Sequence, residues 1–507
     1  MTVINPSSIS GITSITMPSG DGNVLTIHTN DGTERFRIDS SGNVKVGSAC
    51  TISQDGDVFF TGVCTATTLS GAASGLTGAL PAIDGSALTG MASTENVRTG
   101  ILDVAGVSTF RNTMNVGAAV TISESGIEAS GIGITVANIN GTQIGGRRNL
   151  IINGAMEVAQ HGTSSTSDGV HTVDRLNKDE GGTDESVTQS QVDVASGTTP
   201  YTEGFRKAFR LTNGNQTGGT GVQDYTRITY KIEAQDLAKS GWNYTSSSSF
   251  VTLQFWIKSS VAQNFYFIFN TADGGQTRSY VMETGSLSAD TWTKITKTFP
   301  GDSQLAFDND TGIGCYLYIY GYLGTSYADN SVSVNAWKNV ANPQTPLNTT
   351  TWWTTNDATL EITGLQLEVG PQATAFEHRS FGEELSLCQR YCQVFEGPSN
   401  SQGGDSQTAL CENCSLYQAN NLFMSIPTKV SMRAKPSMSV ATGTQYYVAY
   451  SNGGGVDLDG TNLNMNGNTG TEFFVINHTV TSLGTSGHSA LFRMSNSSAK
   501  VTFSAEL

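Results

Sequence analysis

The chain has 507 residues, and 27 basic against 43 acidic side chains give a formal charge of −16. That balance excludes holding nucleic acid by phosphate neutralisation, and it excludes resting on an anionic membrane. Charged residues are only 14% and glycine supplies 57 positions, with Ser, Thr and Asn plentiful, which disfavours a helical protein and suits short strands joined by tight turns.

No run approaches the ~18 apolar residues of a membrane helix. The opening MTVINPSS lacks a charged n-region and an apolar h-region. The expectation is a chain made and kept in a cytoplasm, or released by lysis. Seven Cys stand at 50, 64, 315, 388, 392, 411 and 414. An odd, scattered set of this kind predicts reduced thiols, not a disulfide framework.

Residues 1–145 are Gly-rich, and their aromatics are Phe36, Phe59, Phe60 and Phe110. Short alternating segments (24–28, 35–38, 44–46) are separated by turn dipeptides such as Asp31-Gly32 and Asp55-Gly56. Val46-Gly47, Thr51-Ile52-Ser53 and Gly56 recur as Val116-Gly117, Thr121-Ile122-Ser123 and Gly126. Weaker echoes link 62–65 with 106–109 and 74–78 with 86–90. Segments this thin cannot bury a core within one chain, so the reading is a β shaft wound from sister copies. A flexible Gly-rich linker is the alternative, and the regular apolar residues between the turns count against it.

All six Trp and all sixteen Tyr follow the stretch RRNLIIN at 147–153. Leu150, Ile151 and Ile152 read as a buried strand, closed by the Asn153-Gly154 turn signal. From there to about 380 the pattern predicts a β-sandwich. Leu253, Phe255 and Ile257 share one face of the strand at 250–258, and further strands are expected at 264–269 and 292–299. In GCYLYIYGYL (314–323), Cys315, Leu317, Ile319 and Leu323 face one way, and Tyr316, Tyr318, Tyr320 and Tyr322 the other. Leu360, Ile362, Leu365 and Leu367 fit a closing strand. Short strands with Gly, Asn and Asp turns fit a jelly roll.

Residues 381–507 open with a helix capped by Ser380 or Gly382, presenting Leu385, Cys388, Tyr391 and Cys392 on one face. Strands are expected near 408–417, 421–426, 436–441, 445–450, 471–477 and 489–505. They build a compact β-rich tip domain whose loops at 457–460 and 466–468 suit an exposed end.

FRIDSSGNVKVG (36–47), FTGVCTATTLSG (60–71) and PAIDGSALTG (81–90) resemble phage tail-fibre and related virion proteins, especially those of marine cyanobacterial phages. RRNLIINGAMEVAQHGTSST with VHTVDRL (147–176) resembles the start of a module common in such fibres. LEITGLQLEVGPQATAFEHRSFGEELSLCQRYCQ (360–393) is similar to the stretch that closes it. The resemblance implies a carbohydrate-binding-module-like jelly roll.

Two aromatic groups are candidate sugar contacts. The ladder Tyr316, Tyr318, Tyr320 and Tyr322 offers faces for the apolar sides of sugars, or else belongs to the core or to a subunit interface. Trp337, Trp352 and Trp353 lie in a polar insertion (324–358), which favours exposed anchors over caps on the sandwich edge. Cys388-x3-Cys392 and Cys411-x2-Cys414 approach zinc spacing, but the first pair lies on an apolar helix face, where thiols act as small hydrophobes. Asp308-Asn309-Asp310-Thr311-Gly312 lacks the Glu of an EF-hand and reads as an Asx-type turn. His161, His171 and Asp174 have no nucleophile motif beside them. Neither metal, cofactor nor catalysis is expected.

The expectation is an all-β fibre subunit, homotrimeric and mounted in the virion after assembly in the host cytoplasm. Residues 1–145 form an elongated shaft that docks on tail, baseplate or adaptor proteins. Residues 146–380 form the jelly roll and 381–507 the distal domain, facing host surface polysaccharide, with no nucleic acid and no membrane insertion. The rivals are a capsid-mounted head fibre or decoration protein, and a polysaccharide depolymerase with paired carboxylates in a groove.

Overall fold

The computed structural model describes residues 24–61, strands within 114–129, and 148–507 apart from 275–276, 399–406 and 482. The echoes at 62–90 and 106–109, Cys64, Arg147 and the first 23 residues lie outside the described residues. The chain divides into two compact units, Met1–Met114 and Asn115–Leu507. The fold is all-β, and among the described residues no helix is long and apolar enough to cross a membrane.

The described part of the first unit is one five-stranded antiparallel meander: β1 (Leu25–His28), β2 (Glu34–Ile38), β3 (Val44–Val46), β4 (Cys50–Ile52) and β5 (Val58–Phe60). Asp31, Asp39 and Asp55 close its turns by accepting hydrogen bonds from nearby hydroxyl or amide donors. Not one residue from 24 to 61 is buried. Ile27, Val58, Phe59 and Phe60 are each about half exposed or more. Farther along the chain, β6 (Met114–Val116), β7 (Val120–Ser123) and β8 (Gly126–Ala129) form a three-stranded sheet.

A jelly-roll sandwich of two six-stranded antiparallel sheets follows. Its strands are β9 (Ser164–Ser165), β10 (Leu176–Gly181), β11 (Thr188–Asp193), β12 (Lys207–Thr212), β13 (Tyr225–Glu233) and β14 (Phe250–Ser259), continuing with β15 (Asn264–Thr271), β16 (Arg278–Ser286), β17 (Thr293–Pro300), β18 (Ile313–Leu323), β19 (Ala336–Asn339) and β20 (Thr359–Val369). One sheet runs β10-β13-β18-β15-β16-β19 and the other β17-β14-β20-β12-β11-β9. Inward side chains of both sheets share one core, including Phe255, Phe267, Leu317, Ile319, Leu360 and Leu367. Gly364, at φ 66°, lets β20 change parity, so Leu360, Ile362, Leu365 and Leu367 all reach that core.

The structure corrects two local expectations. Leu150, Ile151 and Ile152 are buried but form no strand. They are held by Asn149, whose amide oxygen accepts from the N–H groups of Ile151 (2.9 Å) and Leu367 (3.1 Å). Leu323 does not join Cys315, Leu317 and Ile319: β18 and β13 slip register between Tyr320 and Tyr322, and Leu323 packs with Tyr320 on the opposite face.

The last part contains the helix Phe381–Gln389, whose N-cap hydroxyl, Ser380, accepts from the Glu383 N–H at 3.3 Å. Leu385 and Cys388 lie on it as expected. The helix stops at Gln389, however, and Cys392 opens a strand instead. Ten strands build this lobe: β21 (Cys392–Glu396), β22 (Thr408–Gln418), β23 (Asn421–Pro427), β24 (Ser437–Val440), β25 (Tyr447–Ser451), β26 (Gly454–Leu458), β27 (Leu463–Met465), β28 (Phe473–Thr479), β29 (Ser489–Met494) and β30 (Lys500–Ser504). They form a three-stranded sheet, β21-β30-β24, and a seven-stranded one, β26-β25-β29-β22-β23-β28-β27, over a core of their own. Asp457 and Leu458, expected in a loop, end β26, whereas 467–468 do form a turn.

Charged groups join this lobe to the sandwich. Arg390 makes a two-pronged ion pair with the wholly enclosed Glu233 at 2.9 and 3.0 Å, and the Tyr391 hydroxyl donates to the same carboxylate. Arg175 lies 3.5 Å from the centre of the Tyr391 ring and pairs with Glu506.

Candidate binding cleft

The outward face of the β10–β19 sheet carries the cleft. Alternation along β13 sends Ile228, Tyr230 and Ile232 into the core and turns Arg227, Thr229 and Lys231 outward. The same rule on β18 turns Tyr316, Tyr318 and Tyr320 outward, and β15 and β16 add Ile268, Asn270 and Ser279. The segment after β18 folds back along this face. Together Arg227, Tyr318, Ile268, Asn270, Ser279 and the 340–344 segment enclose an open cleft of about 200 Å³.

Tyr316 and Tyr318 stack with ring centres 5.3 Å apart and planes at 16°. The Arg227 guanidinium carbon lies 4.3 Å from the centre of the Tyr318 ring. Asp179, directly across the β10–β13 ladder from Arg227, accepts from its Nε at 3.2 Å and from the Thr229 hydroxyl at 2.9 Å. On the other side the Ser279 hydroxyl donates to the Asn270 amide oxygen at 2.6 Å, and the Tyr320 hydroxyl donates to Gln344 Oε1 at 2.7 Å. Burial pushes the Tyr318 phenol up to about 12, against the opposing pull of Arg227, and raises Tyr320 as well. Both phenols therefore stay protonated donors at neutral pH. The result is an aromatic wall beside fixed donors and acceptors, an arrangement suited to a polyhydroxylated ligand with apolar faces.

The seven candidate aromatics do not converge here. Tyr316 and Tyr318 are half-buried and reach the outer face, while Tyr320 is fully enclosed and serves the wall through Gln344. Tyr322 is buried against Trp353, with ring centres 4.9 Å apart. Trp352 and Trp353, expected as exposed anchors, are completely buried in the short helix Thr351–Thr354. Asn213 explains this: its amide donates to the carbonyls of Trp352 (3.1 Å) and Trp353 (2.7 Å), drawing the turn down onto the sandwich end. Trp337 is half-buried and lines a surface cavity with Val332, Lys338 and Pro343. It packs on Tyr280 at 5.2 Å and donates through Nε1 to the Pro300 carbonyl at 2.9 Å. Trp352 and Trp353 thus face inward although the sequence around them is polar.

Arg227, Asp179, Asn270 and Ser279 were not singled out from the sequence. The signal for Arg227 was present in YTRITYKIE, where alternation sets it opposite Ile228. What the sequence lacked was the pairing that sets Asp179 beside it.

The remaining motifs lie elsewhere. The two cysteine pairs occupy different clusters, Cys388 with Ile152 and Val158, Cys411 and Cys414 in the terminal core. Among the described residues no group of three or more His, Cys, Asp or Glu is arranged to hold a metal. The Gly312 N–H donates to Asp310 at 2.8 Å, closing the Asx-type turn. Burial raises the Asp174 carboxyl to about 7, although the backbone and side-chain N–H groups of Gln160 donate to it at 2.7 and 2.6 Å. Burial also lowers the His161 imidazole, while His171 is exposed.

No protein family and no curated protein matches this chain. Among solved structures it is similar to the enzymatically active domain of tailspike protein 4 from bacteriophage CBA120 (10% identity, TM-score 0.23, covering 44% of this chain and 21% of that one). It is also similar to the family 11 carbohydrate-binding module of Clostridium thermocellum, solved with a mixed-linked tetrasaccharide (12%, TM-score 0.19, 43% and 98%). A third is a xylan-binding domain from Paenibacillus barcinonensis (10%, TM-score 0.23, 46% and 100%). The chain thus spans about a fifth of the tailspike domain. The sandwich assignment rests on the strand pairing given above.

Proposed function

We propose that this chain is a structural fibre subunit of a phage of cyanobacteria and that it attaches the virion to host surface glycan. The observation that carries the proposal is the cleft on the outer sheet face that Tyr318, Arg227, Asn270, Ser279 and Gln344 line, with Asp179 holding Arg227. Sugar rings lay their C–H faces on aromatic rings, and their hydroxyls take up guanidinium, carboxylate and amide partners. The mechanism is binding without bond cleavage. A cleft of only about 200 Å³ binds weakly by itself, and several copies on one particle would supply avidity.

The shaft reading is part of the same proposal. A five-stranded meander with no buried side chain and with Phe59 and Phe60 in solvent is marginal alone. Two sister copies would cover those faces, making a homotrimer whose N-terminal region docks on tail, baseplate or adaptor proteins.

The test is a glycan array that includes host capsule and lipopolysaccharide fragments, probed with the full chain and with Tyr318→Ala. A bound glycan whose affinity falls about tenfold in the variant is the expected result. Equal binding by both proteins, or none by either, overturns the cleft.

A further inference from the structure

The terminal lobe has a second cavity, of about 460 Å³, on the outer face of its seven-stranded sheet. Its floor follows from alternation on β29: Ala490, Phe492 and Met494 go into the core, so Leu491 and Arg493 face out. Tyr450 is paired with Leu491 on one side and with Gly455 on the other. A Cβ at position 455 would come within 2.7 Å of Tyr450 Cε1, so the ring lies across the glycine backbone. The Gln407 amide donates to the Tyr450 hydroxyl at 2.8 Å and holds the ring there.

The polar wall has a separate origin. From Cys411 to Cys414, β22 advances three residues while β29 advances two, from Phe492 to Ala490. That bulge brings Glu412 to the outer face. There Glu412 Oε1 accepts from Arg493 Nε at 3.1 Å and Oε2 from Nη2 at 3.3 Å. Each carboxylate oxygen keeps a free lone pair and Nη1 keeps its hydrogens. The Arg493 guanidinium stands 6.0 Å from the Tyr450 ring centre, against 4.3 Å for Arg227 over Tyr318, and so leaves the Tyr450 face more open.

We infer that this cavity is a second saccharide site, taking one uncharged pyranose with its C–H face on Tyr450 and Leu491 and a vicinal diol on the Glu412–Arg493 fork. The fork is charge-balanced, so it favours a neutral sugar over an acidic one. The site repeats the chemistry of the sandwich cleft (tyrosine, arginine, carboxylate) on an unrelated sheet, and it does not depend on that cleft.

Saturation-transfer NMR on the full-length protein tests it, with the methyl glycosides of glucose, galactose, mannose and rhamnose as probes. In a Tyr318→Ala background at least one glycoside should still receive saturation at its ring protons. Adding Tyr450→Ala, or the exposed and structurally mild Glu412→Gln, should weaken its apparent affinity about tenfold. Transfer that vanishes with Tyr318→Ala alone assigns all binding to the sandwich and overturns this site while leaving the cleft standing. Transfer unchanged by both terminal substitutions overturns it too, as does the absence of transfer from every glycoside to the unsubstituted protein.

Discussion

The meander at 24–61 and the sandwich are both antiparallel sheet, yet the first buries no side chain and the second encloses two tryptophans completely. The hydrogen-bond ladders are of the same kind. The difference lies in what covers the sheet faces. In the sandwich each sheet has the other, and the bulge at Gly364 adjusts parity so that the long strand β20 keeps feeding one core. In the meander, strands of three to five residues leave Ile27, Val58 and Phe59 exposed, with nothing among the described residues over them. Secondary structure alone therefore does not make a stable layer, because burial of apolar area dominates the gain.

Substitutions rank by how much enclosed structure they disturb. Trp352→Ala opens a cavity at the sandwich end and should cost about 3–5 kcal/mol, read by chemical denaturation of the second unit. A cost under about 1 kcal/mol would mean the helix Thr351–Thr354 is not the plug described here. Glu233→Ala strands Arg390 and the Tyr391 hydroxyl at the joint between the lobes, and about 3 kcal/mol should be lost. Splitting of the unfolding transition into two would locate that loss at the joint.

Next comes a pH effect. The native protein keeps a proton on Asp174 up to about pH 7, whereas the unfolded chain releases it near 3.8. Stability from this group is complete below the lower value, falls as pH rises, and is gone above the upper one. The difference in stability between wild type and Asp174→Asn should therefore change by about 4 kcal/mol across that window. A flat difference would contradict the burial of the carboxyl. Smallest is Phe59→Ser, which should leave sandwich unfolding within about 0.5 kcal/mol of wild type while weakening self-association.

Much of the sandwich was legible because FVTLQFWIK and GCYLYIYGYL alternate cleanly over long runs. The helix was legible through the Ser380 cap. What escaped has a common cause, namely structure fixed by distant partners. Trp352 and Trp353 sit in a polar stretch, and nothing local shows that Asn213 pulls them inward. Leu150–Ile152 looks like a strand but is held by Asn149 side-chain bonds instead of a ladder. Leu323 changed faces through a bulge that periodicity cannot reveal. In the cleft, Tyr316 and Tyr318 came from alternation, whereas the Arg227–Asp179 pair needed the β10–β13 register.

The central claim is that the N-terminal sheet is incomplete without sister chains. Native mass spectrometry of the full-length protein tests it most directly. Three copies of the 53.5 kDa chain are predicted, with Phe59→Ser shifting the population toward single chains. A stable single-chain mass at every concentration, unaltered by Phe59→Ser, would contradict it.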